Sequence, residues 1–151
     1  MMKRIISAIL ILIILISCCS CARKSRPPFE IKHESVNAIE FRRTSFLADN
    51  PFERSYFQKT VDNKEDIEKL LLWIEELSLE KHEPIEVPIE QVQYVIVLKG
   101  VKDHKLVFMN EYVVYDSTAF TYKSEKQMTQ VSQKYNLLNY AETPITTLGL
   151  I

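Results

Sequence analysis

The chain has 151 residues, with 19 basic and 20 acidic side chains and a formal net charge of −1. That length carries one domain with a real core, and the charge balance excludes the concentrated basic face on which phosphate-backbone binding depends, so nucleic acid is not an expected partner. All three cysteines fall between positions 18 and 21, which excludes a disulfide framework for everything that follows them.

The chain opens with the cations Lys3 and Arg4 and an apolar run from Ile5 to Ile16 that only Ser7 interrupts. As a helix this run would span roughly 18 Å, short of the ~30 Å hydrocarbon core. It therefore reads as the hydrophobic region of an export signal rather than a spanning segment. The run ends in Leu15-Ile16-Ser17-Cys18, with a small residue directly before a cysteine and an apolar residue three places before it. This order resembles the lipobox of bacterial lipoprotein precursors. The resemblance implies that the Cys18 sulfur takes a diacylglyceryl group, that the bond between Ser17 and Cys18 is cut, and that the new amine at Cys18 is open to acylation. It further implies a lipid-anchored protein on the extracytoplasmic side of the cell membrane or outer membrane. Two acyl chains supply the two signals that stable anchoring needs.

Removal of residues 1–17 would leave 134 residues and a charge of −3. Residues 18–29 then form a tether in which Arg23, Lys24 and Arg26 suit anionic headgroups, at about 1 kcal/mol each, and Pro27-Pro28 favours a stiff extended chain. Cys19 and Cys21 place two thiols beside the lipid attachment. Without a nearby His or Met they are an incomplete site for a soft metal, and no metal or cofactor is assigned.

The globular domain is expected over 30–142. Ile39 and Phe41, then Phe57 and Val61, alternate with polar residues around the turn signal Asn50-Pro51, which predicts two strands. Arg42, Arg43 and Arg54 near this turn suit either an anionic ligand or edge protection, and the protective role is favoured. Asp62 and Glu65 have capping-box spacing, and Ile67, Leu70, Leu71, Ile74 and Leu77 recur at helical intervals, predicting a helix over 63–78. Leu72 and Trp73 widen its apolar face. Between 79 and 91, Pro84 and Pro88 suit an edge strand or extended connector. His82 and the nearby glutamates lack the tight spacing of a metal site.

Val92, Tyr94, Ile96 and Leu98 predict one face of a central strand, with Val95 and Val97 on the other. A hairpin at 100–104 leads to an antiparallel meander through 106–109, 112–115 and 119–122. A second helix is expected from Ser124, with Gln127 completing a capping box and Met128, Val131, Tyr135 and Leu138 on one face. The apolar tail 143–151 suits an edge strand or a free end.

The order of elements predicts an α+β domain: an antiparallel sheet of about five to six strands with two amphipathic helices packed on one face. With Gly100 and Gly149 as the sole glycines there is no phosphate-binding loop or dinucleotide fingerprint, and no Gly-x-Ser-x-Gly elbow. The expected function is a non-enzymatic binding or interaction module for an envelope protein or peptide, with Tyr94, Tyr112, Tyr115 and Tyr122 as amphipathic contact area. The alternative is an envelope hydrolase or metal-dependent enzyme whose site is assembled from His33, His82, His104 and dispersed acids.

Overall fold

The structure, a computed structural model, describes residues 29–47, 50–122 and 126–150. Ser17, Cys18, Cys19, Cys21 and the expected helix start at Ser124 lie outside the described residues. Twelve-residue strands β1 (Val36–Leu47) and β2 (Asn50–Val61) form a long hairpin. Helix α1 (Lys64–Glu75) follows, then the short strand β3 (Leu79–Lys81). The meander is β4 (Tyr94–Gly100), β5 (His104–Phe108), β6 (Tyr112–Tyr115) and β7 (Thr118–Tyr122). Helix α2 (Gln127–Leu137) and strand β8 (Thr143–Ile145) complete the fold.

Among the described residues eight strands form one sheet in the order β3-β7-β6-β5-β4-β1-β2-β8, and every pairing is antiparallel. The α+β class and antiparallel sheet are as expected, but the strand count exceeds the predicted five to six. The difference lies in β3 and β8: three residues show no periodicity, and each becomes a strand only by hydrogen bonding to an edge, β3 to β7 and β8 to β2. Each helix is a crossover. α1 carries the chain from β2 to the opposite edge at β3, and α2 returns it from β7 to β8.

Both helices bury their apolar stripes on one sheet face. Ile67, Leu70, Leu71 and Ile74 of α1 and Val131 and Tyr135 of α2 join Ile39, Phe41, Val61, Ile96, Leu98, Leu106, Phe108, Val113 and Phe120 in the main core. The cap of α1 is Asn63 rather than Asp62: its side-chain oxygen accepts from the amides of Glu65 and Asp66, satisfying two donors that the first helical turn leaves free.

A second core lies on the opposite face. Val92, Val95, Val97, Val107, Met109, Val114 and Ala119 are buried there by extended chain, with Ile85, Val87 and Leu150 packed at the side and Leu148 sealed within. Val92 therefore belongs with Val95 and Val97, not with Tyr94, because the strand starts only at Tyr94 and the period-two alternation does not extend back to it. The tail beyond β8 is a strap. Arg42 donates to the Leu148 carbonyl and Lys105 Nζ donates to that of Gly149 at 2.8 Å. Gly149 sits at φ +65, where a side chain would be strained and a Cβ would lie 2.5 Å from the Arg42 guanidinium.

Candidate functional site

The four tyrosines are divided between the two faces. Tyr94, Tyr115 and Tyr122 are half-buried against the main core, and Tyr112 packs against the second core. Tyr94 meets Phe41 edge-on at 5.9 Å, and the Tyr122 hydroxyl donates to the Met109 carbonyl at 3.3 Å. Burial pushes the Tyr122 phenol up from its ordinary range. Tyr115 stacks on Phe29 at 4.2 Å and on His104 at 5.7 Å. Strand pleating puts Tyr112 on the face opposite the other three, so the four do not make one shared contact surface.

The three histidines are likewise engaged separately. His33 lies between Glu68 and Glu75 of α1, with Nδ1 3.1 Å and Nε2 2.9 Å from their carboxylate oxygens. His82 is edge-on to Tyr112, and its Nδ1 lies 2.9 Å from the Glu83 carbonyl. His104 Nδ1 is 2.8 Å from Asp116, whose other oxygen accepts the Lys105 amide. Asp116 is the single positive-φ residue other than glycine among those described, and its side chain locks the β6–β7 turn against β5. Asp103 does not pair with its neighbour His104 but with Lys99. Among the described residues no group of three or more His, Cys, Asp or Glu is placed to hold a metal ion.

The densest polar network joins β1 to the segment after α2. Arg43 donates from Nε and Nη2 to the two oxygens of Glu142 at 2.7 and 3.0 Å, and the Tyr135 hydroxyl donates to Glu142 at 2.7 Å. The Arg43 hydrogen bonds, aided by Tyr135, outweigh burial and hold the Glu142 carboxyl down at about 2. Arg43 also lies over the Phe57 ring at 4.8 Å. The bidentate Arg43–Glu142 pair and the Tyr135 hydroxyl tie β1 to α2 and to the segment after it, so the cluster clamps the fold.

A further concave surface among the described residues is a groove of about 400 Å³ between the helices, lined by Trp73, Glu76 and Leu77 of the α1 end and Gln130, Gln133, Lys134 and Leu137 of α2. Leu137 in its lining is largely exposed, and Lys134 Nζ stands 5.8 Å from the Trp73 ring centre. An indole and two leucines with a polar rim suit amphipathic contact. Of the two residues that widen the stripe of α1 in the sequence, Trp73 lines this groove and Leu72 does not, and the residues of the α2 half carry no apolar periodicity. Comparison with protein-family models, curated proteins and solved structures returned no match for the chain.

Proposed function

We propose that the chain is a lipoprotein precursor, cut before Cys18 and held to the cell envelope by lipid on that residue, whose domain is a non-enzymatic binding module for an envelope protein or peptide. The order Lys3-Arg4, apolar Ile5–Ile16 and Leu15-Ile16-Ser17-Cys18 carries this reading. Extended chain from Cys18 to Phe29, where the domain begins, would reach roughly 35 Å. The groove between the helices is the contact surface in this reading. Mass spectrometry of the mature protein should find a lipid-modified N-terminal Cys18, and Cys18→Ala should leave an uncut chain. An unmodified Cys18 or a retained 1–17 segment in the wild type rejects anchoring. For the contact surface, a photo-reactive residue at Leu137 should crosslink an envelope partner in cells, while one at exposed Val101, outside the groove, should not; equal labelling rejects the groove.

A further inference from the structure

We propose that residues 29–35 are a proton-dependent latch, in which His33 ties the entering chain to α1 only while its imidazole carries both ring protons. Glu68 and Glu75 stand two turns apart on one face of α1, and the ring of His33 lies between them with a nitrogen toward each. A carboxylate can only accept. A neutral imidazole has one N–H and one lone pair, so one of the two contacts would set a lone pair against a carboxylate oxygen; the imidazolium donates to both. The geometry is therefore complete in one protonation state and broken in the other.

The groups around the latch support this. Glu68 and Glu75 are the charged groups facing the ring from α1, while Lys32 and Glu34 flank it in sequence and are themselves exposed. At the Ser35 end, Lys99 and Asp103 pair with each other; at the Phe29 end, the titratable Tyr115 stacks on Phe29 and His104 pairs with Asp116. Burial pulls the His33 imidazole down, but the hydrogen bonds and charges of Glu68 and Glu75 outweigh it and the net shift is upward. A raised imidazole contributes stability that is fully present below its ordinary value of 6.5 and is lost as pH rises through the folded value. The segment it holds is otherwise fixed by buried Ile31, by Phe29 on Tyr115 and Phe120, and by the Ser35 amide donating to the Lys32 carbonyl. The latch concerns the domain itself and stands whether or not Cys18 is acylated.

The test is NMR on the full chain in detergent micelles, following the His33 ring and the amide exchange of residues 30–35 in wild type, His33→Gln and Glu75→Gln. The wild-type ring should titrate above 6.5, and exchange in the segment should be roughly tenfold slower than in His33→Gln below that midpoint, converging above it. Glu75→Gln supplies an amide that can donate to the neutral ring, so it should lower the midpoint and hold the segment at both pH values. A midpoint at or below 6.5, a wild-type to His33→Gln ratio that does not change with pH, or Glu75→Gln titrating like wild type would overturn the latch.

Discussion

Glu142 shows how much one side chain can carry when its partners are positioned by different elements. Its carboxylate accepts two bonds from Arg43 and one from Tyr135, and both members of the ion pair are less than a third exposed. Its pKa falls from 4.5 to about 2, so the stabilisation it provides is present above 4.5 and is lost as pH drops through about 2. The full shift would correspond to about 3 kcal/mol, and solvent screening of a partly exposed pair reduces this to about 1–2 kcal/mol. Glu142→Gln is expected to lose about that much in urea unfolding at pH 7, with the difference from wild type vanishing towards pH 2. A difference that persists unchanged at pH 2 would show that the carboxylate charge is not its source. Arg43 was visible in the sequence as a cation beside a turn, but its acceptor lies 99 residues away. Nothing local in the sequence could pair them.

Among the elements, α2 depends most on its surroundings. It buries one residue per turn through Gln127, Val131 and Tyr135, and the Oε1 of Gln127 has no hydrogen-bond partner among the described residues. Its last turn has no glycine in the left-handed conformation that commonly closes a helix; Leu138 is extended. The end is capped instead by buried Lys59 of β2, whose Nζ donates to the carbonyls of Tyr135 at 3.0 Å and Leu138 at 2.9 Å. A cation at this end also opposes the negative pole of the helix. Lys59→Met keeps the stem but strands the Leu138 carbonyl and leaves that of Tyr135 with the Leu138 amide alone; it is expected to cost about 1–3 kcal/mol and to speed amide exchange in the last turn of α2 more than in α1. Uniform change across both helices would argue against capping. In the sequence Lys59 is one polar residue in an alternating strand. Its register opposite Phe41 is what turns it toward the helices.

At the scale of the whole molecule, the sheet has two buried faces covered in different ways. The helices cover one and extended chain covers the other, so the second core depends on the last residues of the domain. Leu148 is 2% exposed within it. Leu148→Ala should destabilise the domain by about 2–4 kcal/mol, and deleting residues 146–151 should expose the valine face and cause concentration-dependent self-association in sedimentation velocity. A truncated chain that stays monomeric and equally stable would show that the strap is dispensable.

The sequence alone determined what depends on near neighbours: the stripe of α1 from Ile67 to Ile74 and the alternating strands of the meander. These signals survive because apolar spacing reports directly on which face of an element is covered. Tertiary structure alone decided the rest. Strands of three residues exist only at an edge that offers them hydrogen bonds, the four tyrosines divide according to register, and Glu142, Lys59 and His33 acquire roles from partners on other elements. Such pairings leave no trace in local spacing, because their hydrogen bonds join residues brought together only by folding.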